Sequence, residues 1–161
     1  MKKLKATEKG CFFLTLSAFD KIQVRVTIDT VITNGCSRER LASEAFGMAY
    51  VNDKTVVCSF VEKHGDAGET RTVVKIESNR VTIQRSGSLN MRQQLVIGKK
   101  TEGFYSTPYG RMMMEAKTET IQFAWDKLKR AGLLHVNYDL WMQTEYAGRY
   151  DITIQMEGVS S

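Results

Sequence analysis

Apolar and polar residues alternate with a period of two along most of the chain. Ile22, Val24, Val26 and Ile28 share one parity while Gln23, Arg25, Thr27 and Asp29 take the other. Successive side chains of an extended backbone point to opposite sides, so this is a strand with one buried face. Val56 to Val61 predicts a second strand after the turn residues Asn52-Asp53-Lys54, and Arg71 to Glu77 a third that stops at Ser78-Asn79. Val81 and Ile83 open another, opposite Leu89, Met91, Leu95 and Ile97.

The alternation is clearest near the C-terminus. Leu134, Val136, Tyr138, Leu140 and Met142 interleave with His135, Asn137 and Asp139; Tyr150, Ile152, Ile154 and Met156 interleave with Arg149, Asp151 and Thr153. The two runs read as a hairpin in which the first set points inwards and His135, Asn137 and Asp139 point out, leaving His135 a solvated histidine rather than a ligand. Between Thr118 and Ile121 the apolar parity changes from even (Met112, Met114, Ala116) to odd (Ile121, Phe123), which predicts a bulge there.

Helix has two footholds. SRERLASEAFG offers Ser37 as an N-cap, apolar Leu41, Ala42, Ala45 and Phe46, and a stop at Gly47, and WDKLKRAG could wind a turn or two before Gly132. Extended structure competes over Ser43 to Val51, so at most short helices are expected. Eight or more short antiparallel strands must hide their edges. Closure removes those edges outright, so an all-β fold is expected, with a single closed or nearly closed antiparallel β-barrel ahead of a two-sheet sandwich.

TEGFYSTPYGRMMMEAKT, residues 101–118, contains the single proline of the chain and three consecutive methionines. Pro108 pre-sets a turn and Gly110 permits its exit. In a strand Met112 and Met114 join Ala116 on one face as core filler, while Met113 joins Glu115, Lys117 and Glu119 on the other, so the triplet is not one methionine-lined wall.

At 161 residues, 42% hydrophobic and 25% charged, the chain suits one globular domain with a single core. The formal charge of +5 concentrates in two places: Lys2, Lys3, Lys5 and Lys9 at the N-terminus, and Arg85, Arg92, Lys99, Lys100 and Arg111 within residues 85–111. The first reads as a solvated tail, the second as the better candidate for a basic face. Cys11, Cys36 and Cys58 are odd in number and lack CxxC spacing, which suits free thiols in a reducing cytoplasm. MKKLKATEKG followed by CFFLTLSAF imitates a secretory signal, but its apolar run is short and Asp20-Lys21 follows at once. Residues 1–19 are read as an N-terminal extension that packs on the domain or stays loose, residues 20–161 as the barrel, and no segment has the length of a transmembrane helix. Localisation is expected to be cytoplasmic.

RSGSLNMRQ at Arg85, TEGFYSTPYG at Thr101, LLHVNYDLWMQ at Leu133 and AGRYDITIQ at Ala147 closely resemble the YwiB-like family of bacterial proteins, from about Lys21 to Gly158. The resemblance implies a calycin or lipocalin-like β-barrel and carries over no activity, cofactor or catalytic residue.

Three functions follow. A binding barrel would enclose a small apolar or anionic amphipathic ligand, with Met91, Met112, Met114, Tyr138, Met142 and Met156 lining either a cavity or a filled core; a filled barrel would act through protein contacts. Its candidate ligand residues are Arg85, Tyr105, Tyr109 and Arg111. If Ser86-Gly87-Ser88 is a three-residue connection, Arg85 pairs with Leu89, Ile83 with Met91 and Val81 with Gln93, and the arginine shares the apolar face. There it needs a partner, either a ligand carboxylate or, at the barrel mouth, water or a neighbouring Glu. A second reading is nucleic-acid binding through Arg92, Lys99, Lys100 and Arg111 with Tyr105 and Tyr109 as stacking faces. An enzyme comes third, with Glu115 and Glu119 as unremarkable carboxylates on a polar face. Catalytic residues, metal and cofactor are each expected to be none.

Overall fold

The computed structural model describes residues 19–159; the expected extension over residues 1–19, with Cys11, lies outside them but for Phe19. Ten antiparallel strands close into a barrel in the order β1-β10-β9-β8-β7-β6-β5-β4-β3-β2. They are β1 (Asp20–Asn34), β2 (Ser37–Val51), β3 (Val56–Lys63), β4 (Glu69–Ile76), β5 (Arg80–Gly87), β6 (Asn90–Val96), β7 (Lys100–Thr107), β8 (Gly110–Asp126), β9 (Ala131–Met142) and β10 (Glu145–Gly158), with one 3-10 turn at Gly65–Ala67. Every connection but the closing pair, β1 with β10, joins sequence neighbours. Among the described residues no helix is long and apolar enough to cross a membrane.

Both candidate helices are otherwise. SRERLASEAFG is strand throughout, because every residue from Ser37 to Val51 has a partner on β1 and that ladder outweighs a weak local preference. In WDKLKRAG the carboxylate of Asp126 accepts hydrogen bonds from the backbone N–H groups of Leu128 and Lys129, each at 3.0 Å. Side-chain capping of this kind turns the chain tightly into β9 instead of starting a helix.

The C-terminal hairpin forms as the alternation predicts, with Tyr138 opposite Tyr150 and Val136 opposite Ile152. Leu134, Val136, Tyr138 and Leu140 are buried, whereas His135, Asn137 and Asp139 reach the outer face. The register of β8 against β9 shifts between Thr118 and Thr120, so Glu119 is the extra residue that moves the inward parity from Thr118 to Ile121.

One register differs from expectation. Arg85 pairs with Met91, Ile83 with Gln93 and Val81 with Leu95, and the turn shrinks to Ser88-Leu89. Gly87 remains in the strand opposite Thr70, where a Cβ would meet the Glu69 carbonyl at 2.4 Å and φ is +125°; glycine therefore lets β5 continue past the expected turn. The slip is by two residues and preserves parity, so Arg85 still faces the axis.

The core is graded along that axis. At the end where β1 begins, Ile22, Val24, Val51, Val56, Ile76, Val81, Leu95, Leu134 and Met156 are all buried. Cys58 lies among them, and burial pushes its thiol up to about 12. Towards the opposite end the inward side chains Ile32, Glu62, Arg85, Met91, Tyr105, Met112, Met142 and Tyr150 are only half-buried.

Candidate functional site

Ladder pairing places Gly47, Phe60, Thr72, Arg85, Met91, Tyr105 and Met112 on one continuous cross-strand row facing the axis. The row starts apolar and becomes polar at Thr72. Arg85 has a side chain 34% exposed, and its guanidinium Nη2 stands 4.0 Å from the carboxylate of Glu62. Glu62 also faces inwards and accepts a hydrogen bond from Thr72 Oγ1 at 2.9 Å. The Arg85 Nε atom is buried and has no hydrogen-bond partner among the described residues.

Two other buried side-chain atoms that face the axis share this condition, Gln93 Oε1 and Thr118 Oγ1. The Gln93 amide nitrogen is engaged, donating to the Gln94 carbonyl at 2.8 Å and the Thr101 carbonyl at 3.3 Å, which leaves its oxygen free to accept. Across the barrel, the rings of Tyr138 and Tyr150 stack with centroids 5.4 Å apart. Burial raises the Tyr138 phenol well above its ordinary range, Tyr150 raises it further and the charge of Arg85 opposes both. The Tyr150 phenol is raised by burial and by Glu39. At the rim, His64 Nε2 lies 3.0 Å from Thr70 Oγ1, which lies 2.9 Å from Ser88 Oγ.

Of the four candidate ligand residues, the fold brings two together. Arg85 and Tyr105 flank Met91 on the inner row. Tyr109 stands 99% exposed on the turn between β7 and β8, where its N–H donates to Thr107 Oγ1 at 3.1 Å. Arg111 lies on the outer face with its guanidinium 4.1 Å from the centroid of Phe104. Neither belongs to the inner row that carries Arg85. Three members of the candidate basic face share the outer side of neighbouring strands: Arg92 opposes Phe104, the ring that Arg111 covers, and Lys100 sits 4.4 Å above the Trp141 ring and 3.9 Å from Glu115. Glu115 and Glu119 each face a cation, Lys100 and Arg149, and do not form a pair with one another.

Glu62, Thr72, Gln93, Thr118 and Tyr150 were not among the sequence candidates. A signal existed for Glu62 and Gln93: each is a polar residue at an apolar parity, Glu62 after Val56, Cys58 and Phe60, and Gln93 between Met91 and Leu95.

The model of the family described as Domain of unknown function (DUF1934) matches residues 26–154. The chain is 29% identical over 135 residues to a Bacillus subtilis protein named "Uncharacterized beta-barrel protein YwiB", covering 84% of this chain and 93% of the relative. The crystal structure of that ywiB protein superposes with a TM-score of 0.78 at 26% identity, covering 91% of this chain and 99% of the other.

Proposed function

The chain belongs to the DUF1934 family, and from that premise we propose that its barrel is a binding protein for a small anionic amphiphile, held at the polar end by Arg85. The observation that carries this reading is the buried, unpartnered Nε of an arginine that faces the barrel axis. Leaving a buried donor unsatisfied costs about 1–3 kcal/mol, and the guanidinium presents a planar fork suited to a carboxylate or phosphate. Glu62, at 4.0 Å from Nη2, is too distant for a full bidentate pair. Gln93 Oε1 and Thr118 Oγ1 offer a ligand polar contacts deeper in the barrel, and Met91, Met112 and Met142 supply an adaptable apolar lining.

Calorimetric titration with decanoate, and with uncharged decanol as a control, tests the proposal. Wild-type protein is expected to bind decanoate more tightly than decanol, and Arg85→Leu to weaken decanoate binding about tenfold or more with its circular dichroism unchanged. Absence of decanoate binding, or binding that Arg85→Leu leaves intact, overturns it. Salt-sensitive binding of nucleic acid that falls on charge reversal at Lys99 and Lys100, in a protein that ignores decanoate, would move the function to the outer face.

A further inference from the structure

Two strands of the barrel outrun a neighbour: β8 on its β7 side beyond Lys117 and, more exposed, β2 on its β3 side. β2 pairs with β1 from Ser37 to Val51, but with β3 only from Gly47 to Val51. Ser37 to Phe46 therefore has a neighbour on one side alone, and Ser37 to Glu44 is exposed without interruption. The strands part at Gly47, where a Cβ would fall 2.1 Å from the Ser59 carbonyl, and a groove of about 490 Å³ lined by Phe46, Met48, Tyr50 and Val61 opens at the fork.

Backbone polarity along this edge can be assigned. In an antiparallel ladder both polar groups of a residue point to the same neighbour, and successive residues point to opposite neighbours. The Asn52 N–H bonds the Thr55 carbonyl at 3.0 Å across the β2–β3 turn, so even-numbered residues of β2 point towards the β3 side. Arg38, Arg40, Ala42 and Glu44 thus direct their N–H and C=O groups outwards from the barrel wall. An edge of this length is a template for another strand.

The sequence of the edge is complementary to itself. We propose that β2 pairs antiparallel with β2 of a second copy of this chain about a two-fold axis at Leu41. Leu41, 50% exposed, then faces the partner's Leu41, Arg38 faces the partner's Glu44, Glu39 the partner's Ser43 and Arg40 the partner's Ala42. Glu44 has only a loose intrachain contact, 3.8 Å from Arg25, whereas Arg40 is already bound to Asp29 at 2.6 Å and needs no partner. Neighbouring registers of the same parity are worse. Moving the axis to Arg40 opposes two arginines, and moving it to Ala42 brings the partner's Ser37 against Gly47, whose edge Phe60 occupies. An isologous pair of this kind closes on itself and leaves no part of the β2 edge for further addition.

Sedimentation velocity over a dilution series, up to the solubility limit, tests the pairing. Wild-type protein is expected to move from monomer to dimer. Ala42→Pro should abolish the dimer without unfolding the chain, because the N–H it removes points away from β1. Arg38→Glu should weaken dimerisation about tenfold or more, since it turns two attractive cross-strand pairs repulsive, and adding Glu44→Arg should restore it. A wild-type monomer throughout, or a dimer indifferent to Ala42→Pro and Arg38→Glu, overturns the proposal.

Discussion

At the end of the barrel that holds Val24, Val81, Leu95 and Leu134, the inward side chains are apolar and these four are at most 1% exposed; towards the other end Glu62, Arg85 and Tyr150 turn to the same axis and remain half-buried. Strand runs through both ends, so secondary structure alone does not distinguish them. The difference is what each end does with water. Burying aliphatic side chains gains roughly 25 cal/mol per Å², whereas enclosing Arg85 Nε, Gln93 Oε1 and Thr118 Oγ1 without partners opposes folding. The first end holds the barrel together; the second is a polar interior that stability alone does not explain.

The contrast can be broken most forcefully at the apolar end. Leu134→Ala, at a residue 1% exposed, is expected to cost about 2–5 kcal/mol through lost burial and a residual cavity, while Met112→Ala at the half-buried polar end should cost about 1 kcal/mol. Urea midpoints of the two variants measure the difference, and equal losses would erase the distinction. Gly47→Ala should follow at about 1–3 kcal/mol, because the new methyl meets the Ser59 backbone carbonyl rather than a movable side chain. Its unfolding midpoint reports how tightly the β2–β3 seam is closed.

Cysteine chemistry sharpens the comparison without altering the fold. Cys36 is exposed at the β1–β2 tip, and Cys58 is buried in the apolar end; peptide mapping after brief alkylation should find Cys36 modified and Cys58 protected. The Cys58 thiol has a folded pKa of about 12 against an ordinary 9.0. Its neutral form thus supports folding fully below pH 9, and that support is lost as pH rises towards 12. Cys58→Ala should reduce the alkaline fall in stability, measured by denaturant titration across that window.

The smallest change expected is also the most telling for the polar end. Arg85→Met should shift stability by no more than about 1 kcal/mol, since the residue gives up a loose 4.0 Å contact and gains an apolar side chain of similar reach. A loss comparable to that of Leu134→Ala would make Arg85 a structural residue.

Parity made much of this legible in the sequence. The inward set on β9, the face exchange at Glu119 and the inward position of Arg85 all followed from which residues alternate. Parity does not specify how far a hairpin extends, and so the β5–β6 register came out shifted by two residues from expectation. Parity on β8 also put Arg111 with Met113 and Glu115 on the outer face, although it is only six residues from Tyr105, which faces inwards from β7. The parting of β2 from β3 depends on backbone contact at Gly47 with a segment twelve residues later, which no local pattern encodes. Glu62 and Gln93 were visible as polar residues in apolar register, and become meaningful only when their rows are assembled.

The central claim, that the polar end receives a ligand and the apolar end does not, is tested most directly by the methionine methyl groups. Met91, Met112 and Met142 are half-buried at the polar end, Met156 is fully buried at the other, and Met113 is on the outer face. In a spectrum of the protein labelled with ¹³C at the methionine methyls, adding decanoate should shift the resonances of Met91, Met112 and Met142 and leave Met156 and Met113 in place. No shift at any of the three, or shifts confined to Met113 and Met156, would contradict the account.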